Sequence, residues 1–459
     1  MTTWEKALIG DVCSLVTDGT HHSPPNHSTG AFRYVTAKNI RPWGLDLKDI
    51  SYVDVATHQE IYRRCPVEYG DVLYIKDGVT SGLAAINTLN EPFSLLSSVA
   101  LLKPNRDVLC SAYLKHWLNS PDTKRQMTSG MTGTAIKRLV LKQIRAAEIP
   151  IAPLAEQRRI ADKLDTVLAR VDAVNDRLAR VAPLLKRFRQ SVLAAATSGT
   201  LTEDWRLSRT VGTSWTTAAV ADVIEEMRNG LSAKPDEDPT GQRILRISAV
   251  RPGALDADDH RYLRSSLGDA KTYSLRAGDV LFTRYNGSLD FVGVCALVRK
   301  DLRGYVYPDK LIRVRVRLNR VLPAYFELAC NSPLARIQVE GFIKSSAGQK
   351  GISGADLKRL QIQVPALDEQ TEVVRRVELL FGYADRLEAR LQAAQTAAER
   401  LTPALLAKAF RGELVPQDPH DEPASELLKR LAVQRAQISS AASPGRGRGR
   451  KPTARADHQ

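Results

Sequence analysis

Between Ile160 and Val192 runs a series of apolar residues, Ile160, Leu164, Val167, Val171, Val174, Leu178, Val181, Leu185, Phe188 and Val192, spaced 4-3-4-3 without a break. A mean spacing near 3.5 keeps one narrow stripe on one side of a helix, the pattern of a coiled-coil seam. Adding 213 to each number gives Val373, Val377, Leu380, Ala384, Leu387, Leu391, Ala394, Ala398, Leu401 and Leu405, and every one is apolar. One such run could be an ordinary amphipathic helix. Two in mutual register predict partner helices of about 40 residues, roughly 60 Å each at 1.5 Å per residue. Pro183 and Pro403 fall inside them and are expected to bend or interrupt each one, since proline lacks the N–H of the helical ladder.

The repetition extends on both sides of these runs. "LKQIRAAEIPIAPLAEQ" (from Leu141) lies over "GADLKRLQIQVPALDEQ" (from Gly354), and "SVLAAATSGTL" over "ALLAKAFRGEL". Upstream, where loop insertions shift the offset, "FRYVTAKNIRPWGLD" answers "QRILRISAVRPGALD" and "YGDVLYIKDG" answers "AGDVLFTRYNG". The chain is a tandem duplication of a unit slightly over 200 residues long, too long for a solenoid repeat and right for a domain followed by a helix. Ahead of each helix, short β-rich runs such as "GDVLYI", "GDVLF" and "KLIRVRVRL" alternate with Gly, Pro and Asn, which predicts a mixed α/β domain. The expected fold is two α/β domains separated by an antiparallel pair of long helices with pseudo-twofold symmetry, the domains at opposite ends of a spacer. The segments are 1–150, 151–200 (first helix), 201–211 (linker), 212–365, 366–412 (second helix), 413–438 (C-terminal extension) and 439–459 (basic tail, expected to be disordered). Asp368 is a plausible cap for the second helix, with "EQ" in its first turn, whereas Ala155 cannot cap the first through its side chain.

The chain of 459 residues carries a formal charge of +15, and the tail "SPGRGRGRKPTARADHQ" supplies only about four of these charges, so the body itself is basic. An anionic partner follows, and with no membrane-type segment nucleic acid is favoured. No secretory signal opens the sequence, which reads as cytoplasmic. Cys13, Cys65, Cys110, Cys295 and Cys330 stand singly, without CxxC spacing, and read as reduced, mostly buried thiols.

Motifs for catalysis are scarce. His21, His22 and His27, near Asp18 and Cys13, lie in a Pro/Ser-rich loop whose counterpart has no histidine, so a polar loop is favoured over a metal site. "NSPD" and "NSPL" read as helix ends rather than as a methyltransferase loop. Neither a phosphate loop nor a nuclease cluster appears. What recurs is a set of polar and basic residues in matched turns: Lys38, Asn39 and Arg41 against Arg246, Ser248 and Arg251; Lys76 and Asp77 against Arg284, Tyr285 and Asn286; and Thr132, Thr134, Lys137 and Arg138 against Lys344, Ser346, Gln349 and Lys350. These types bond base edges and phosphates alike, and for any single residue base contact, phosphate contact and plain solvated surface all remain open. Differing chemistry on a shared scaffold points to two heads that read different things.

On the duplicated plan, the "GDVLYI" and "GDVLF" strands, the "IPIAPLAEQ" and "VPALDEQ" junctions and the "SGTL" and "RGEL" exits, the chain resembles the specificity subunit of a type I restriction-modification system over residues 1 to about 435. The resemblance implies a non-catalytic subunit whose two domains are target recognition domains, each binding half of a bipartite, asymmetric double-stranded DNA target. It implies helices that dock two DNA adenine methyltransferase subunits, and a translocating restriction subunit that can join them. No cofactor would be bound by this chain; S-adenosylmethionine, ATP and Mg²⁺ would belong to the partners. Two other readings stay open: a DNA-binding regulator on the same scaffold without methyltransferase partners, and a structural coiled-coil connector. A catalytic enzyme ranks behind both.

Overall fold

The computed structural model describes residues 4–129, 139–209, 215–236, 238–263, 272–346 and 349–441. The chain forms two compact units, Met1–Asp176 with Gln395–Gln459, and Arg177–Ala394. Thr132, Thr134, Lys137 and Arg138 and the tail beyond 441 lie outside the described residues.

In the first unit β1 (Cys13–Asp18), β2 (Val72–Ile75), β3 (Ala84–Ile86) and β4 (Val99–Pro104) form an antiparallel sheet in the order β1-β4-β2-β3. Every residue of β2 is buried, because the sheet separates two cores. Val72, Tyr74, Ala100 and Leu102 enter the core on the helical side, while Leu73, Ile75, Val99 and Leu101 enter the one on the other side. That is the period of two of a strand covered on both faces, and it explains why "GDVLYI" reads as an unbroken apolar run. A second small sheet, Ser51–Val53, Phe32–Val35 and Ser94–Leu95, borders the far core. Glu5–Leu8 pairs antiparallel with Glu148–Ile151 at the junction with the first long helix.

The head of the second unit repeats the plan. Strands β5 (Ile224–Asn229), β6 (Val280–Thr283), β7 (Cys295–Leu297) and β8 (Leu311–Val316) take the order β5-β8-β6-β7, and Thr216–Ala219 pairs with Gln361–Val364. It also carries a three-stranded sheet of Tyr285–Asn286, Gln349–Gly351 and Lys344–Ser346.

Three long helices complete the units: α1 (Leu154–Ser198), α2 (Leu367–Phe410) and α3 (Ala424–Ala441). Within the second unit Val192 and Ala196 of α1 share a core with Val373 and Val377 of α2, and Leu185 clusters with Ala384 and Leu391. Rising numbers on one helix meet falling numbers on the other, so the pair is antiparallel, as the two registers predict. Arg189 of α1 reinforces it with bonds of 2.6 and 2.8 Å to Asp385 and Glu388. In the first unit Ile160 and Leu164 pack with Leu406 and Ala409.

The seam is narrower than expected. Val171 is buried; Val167, Leu178, Val181 and Leu380 are half-buried. Val174, Leu387 and Leu401 are 43%, 51% and 47% exposed, which corrects their placement on the seam, the first two near its middle. A pair of helices covers only a thin stripe, and a 3.6-residue helix drifts about 20° per heptad from a strict 3.5 repeat. Nor does either proline interrupt its helix. Pro183 and Pro403 are exposed, so the carbonyls of Ala179 and Glu399 that lose a donor can turn to water while the packed residues on either side hold the helix together. Asp368 does not stand ahead of the helix, since α2 begins at Leu367, but its carboxylate accepts from the Glu369 N–H of the first turn at 2.9 Å and pairs with Arg209 at 2.9 Å.

Helix α3 lies on the first head. Ala424, Leu427 and Leu431 join its core, and Arg435 bonds Asp11 and the carbonyl of Gly10, each at 2.9 Å. The matching seat on the second head is polar: Arg320 stands where the first has Val108, and Asp368 where it has Ala155. An apolar helix face has no partner there.

Candidate nucleic-acid interface

The repeated "EQ" is a buried joint rather than an exposed first turn. Gln157 donates to the carbonyls of Val108 (2.9 Å) and Ala152 (2.8 Å) and accepts from the Cys110 N–H (2.9 Å). Gln370 repeats this with Arg320 (3.0 Å), Pro365 (2.8 Å) and the Leu322 N–H (2.8 Å). Each glutamine thus ties the start of a long helix to two loop segments of its head, satisfying backbone groups that burial would otherwise leave unpaired. The neighbouring glutamates differ. Glu369 accepts from Thr202 (2.7 Å), Trp215 (3.1 Å) and Arg206. Among the described residues Glu156 accepts from Trp4 alone, at 3.3 Å, and burial pushes its carboxyl above the usual range against the opposing pull of that bond. The "NSP" asparagines also act as matched joints at helix ends: Asn119 bonds both backbone groups of Ala84, and Asn331 those of Cys295.

On the far side of each sheet lie the matched turns. In the second head, Asn286 sits opposite Lys350 in the small three-stranded sheet, with Tyr285 and Lys344 both opposite Gly351 and Gln349 on the middle strand. Five candidates from two distant segments of sequence are therefore brought together. Beside them opens a groove of about 570 Å³. Arg246, Arg251, Arg261 and Lys310 line it with Asn286 and Phe291, and among the described residues Asp309 is the one acidic member of the lining. Arg251 lies over the Phe291 ring at 4.7 Å, and Arg284 over Tyr285 at 4.8 Å. Asn286 accepts from the Ser288 N–H at 3.0 Å through its carbonyl oxygen. Arg246 is near Asp259 (3.6 Å).

The first head places its candidates differently. Lys76 is buried, with its ammonium 3.3 Å from Asp18 and 3.6 Å from Asp77. Asn39 is buried too, accepting from the Thr36 N–H (3.0 Å) and donating to the Asp46 carbonyl (3.1 Å), so it shapes its own turn. Arg41 donates to the Ile40 carbonyl at 3.0 Å and approaches Asp46. Lys38 is exposed. His21 leans on Asp18 (3.3 Å) and His22 on Thr20 (3.0 Å). Among the described residues no group of three or more His, Cys, Asp or Glu is placed to hold a metal ion, and no helix is long and apolar enough to cross a membrane.

Sequence reasoning missed Arg261, Lys310 and Phe291. Lys310 had a signal: it is the basic residue directly before the "LIRVRV" strand, in the same sense as Arg284 directly after "VLFT".

Comparison with known proteins accounts for this architecture. The family model described as the type I restriction modification DNA specificity domain matches residues 1–182 and again 213–394, one match per repeat. The chain is 38% identical over 413 residues to the type I restriction enzyme EcoKI specificity subunit of Escherichia coli K12, covering 88% of each chain. It is 32% identical over 448 residues to the StySPI specificity subunit of Salmonella potsdam, covering 94% of this chain and 96% of that one. In fold it is similar to the HsdS subunit from Thermoanaerobacter tengcongensis, with a TM-score of 0.56 at 18% identity over 90% of this chain and 97% of that one. A chain solved in work on complex assembly and conformational transition of the type I restriction-modification system gives 0.63 at 16% identity, over 90% and 99%. Two family matches in tandem and a relative of this identity and coverage place the chain in the family of type I restriction-modification specificity subunits.

Proposed function

We propose that each head reads its own half of a bipartite DNA target and that the chain carries partner DNA adenine methyltransferase subunits, and a restriction subunit, to that target in the cytoplasm. The observation that carries the reading is the pairing of like scaffolds with unlike faces. The two heads share strand order and glutamine joints, yet one exposes a basic groove where the other ties its candidate side chains inward. Base edges are distinguished by side-chain chemistry, and phosphates by charge, so such divergence is what two different half-sites require.

Docking of partners is supported by apolar side chains left in water on the long helices. In the second unit these are Leu184 and Phe188 on α1 and Leu379, Tyr383 and Leu387 on α2, each set at helical i, i+4 spacing. S-adenosylmethionine would be supplied by the methyltransferase subunits, ATP and Mg²⁺ by the restriction subunit. Co-expression with the neighbouring methyltransferase should give one copy of this chain with two of that one, and adenine methylation that needs both. Methylation by this chain alone, or purified components that never associate, would refute the proposal; the latter result would favour a regulator that works without methyltransferases.

A further inference from the structure

We infer that Arg251 is the guanine-reading residue of the second head, held in place by the ring of Phe291. This rests on the DNA-reading function proposed above and assigns a specific base contact within it. Arg251 lines the groove, and its guanidinium carbon lies 4.7 Å from the Phe291 ring centroid. Among the described residues it makes no hydrogen bond or ion pair, so all five N–H groups are available to a ligand. An aromatic ring against one face of a guanidinium leaves the donors pointing outward in the plane, where two of them match the O6 and N7 acceptors of guanine. The surroundings suit a base edge: Ile244, Leu245 and Ile247 contribute to the lining, and Asn286, whose amide NH₂ is unbonded among the described residues, lines the same groove. A guanidinium in such a recess is drawn from water less completely than a buried one but exchanges its hydration for a planar, bidentate partner.

The first head shows what the arrangement excludes. Its matching arginine, Arg41, spends donors on the Ile40 carbonyl at 3.0 Å and on the approach to Asp46. The turns that should supply the aromatic are closed by the same backbone bond, Gly82 N–H to the Ile75 carbonyl and Gly293 N–H to the Thr283 carbonyl, each 2.8 Å. The second is longer, "RYNGSLDFV" against "KDGVTS", and only it contains an aromatic ring that can lie under the arginine. Both requirements, a free guanidinium and a ring to hold it, are met in one head only.

The test uses the complex of this chain with its methyltransferase. Methylated adenines are mapped genome-wide for the natural chain, for Arg251→Ala and for Phe291→Ala. Binding is then measured on duplexes carrying the mapped site with guanine or with 7-deazaguanine, which lacks the N7 acceptor. The natural motif should contain a guanine in the half-site of the second head; Arg251→Ala should relax that position alone and weaken target binding about tenfold or more. Phe291→Ala should relax the same position less. The 7-deazaguanine duplex should weaken the natural complex and leave Arg251→Ala no weaker than before. Uniformly weaker binding of Arg251→Ala with an unchanged motif would make Arg251 a phosphate contact and overturn the inference, as would relaxation at a position that is not guanine, or no change at all. A natural complex that methylates no discrete motif would instead overturn the DNA-reading function beneath it.

Discussion

The two heads agree on the side that faces the long helices and disagree on the side that carries the turns. Toward the helices, Gln157 and Gln370, Asn119 and Asn331, and Tyr113 and Tyr325 make matching bonds, the two tyrosines to the carbonyls of Pro150 (2.9 Å) and Gln363 (2.8 Å). Toward the turns, the first head packs Leu101 into an apolar core with Leu15 against it. The second puts Arg313 and Glu226 at the equivalent places in the same strands. Arg313 is only 1% exposed; it pairs with Glu226 at 2.7 Å and donates to the carbonyls of Ser274 (2.9 Å) and Thr272 (3.2 Å). One ionic link is common to both heads, Lys103 with Asp71 (2.8 Å) and Arg315 with Asp279 (2.7 Å). Sheet hydrogen bonding is indifferent to which side chains fill a face, so the turn-side core can change to hold a different loop while the helix-side joints stay the same.

The comparison can be broken most severely at the shared joints. Gln370→Ala would leave three backbone groups unpaired in the second head, and Gln157→Ala the same in the first, costing about 3 to 5 kcal/mol in either. Denaturant unfolding should show each loss in one head; an equal effect on both from one substitution would contradict the independence of the joints. Next comes the turn-side core. Glu226→Leu alone strands a buried arginine and should cost about 3 kcal/mol, whereas Glu226→Leu with Arg313→Leu, copying the first head, should return stability to within about 1 kcal/mol of the natural chain. If the double substitution is as harmful as the single one, the two cores are not interchangeable. Leu431→Asp in α3 should destabilise the first head by about 2 kcal/mol and leave the second alone, because only the first has an apolar seat for that helix. The smallest effect is expected at Val174→Asp, under about 1 kcal/mol, against several for Leu185→Asp on the same helix; equal losses would restore the full heptad seam.

Much of the architecture was legible in the sequence because duplication supplies two independent readings of each element. The paired registers at Ile160 and Val373 identified the long helices, and matched "GDVL" strands located the sheets. Burial along the seam was not legible, since a 4-3 spacing names a stripe without saying how much of it a single partner can cover. The "EQ" pair was visible as a motif but not as a joint, because two of each glutamine's three partners are backbone groups some 50 residues away in sequence. Lys76 and Asn39 looked like reading residues from residue type and turn position. Both point inward, toward Asp18 at the end of β1 and toward the Asp46 carbonyl, and direction is a tertiary property that turn chemistry does not encode. For the same reason the sequence does not show where helix α3 packs: its apolar positions Leu427 and Leu431 acquire meaning only against the first head's core.

The central claim is that two heads built on one scaffold read separate half-sites. The most direct measurement is the genome-wide methylated-adenine motif produced, with the partner methyltransferase, by a chain whose second head, residues 212–365, has been exchanged for that of a related specificity subunit. The account predicts that one half-site changes to that of the donor while the other keeps its bases; a motif in which both halves change together, or neither does, would contradict it.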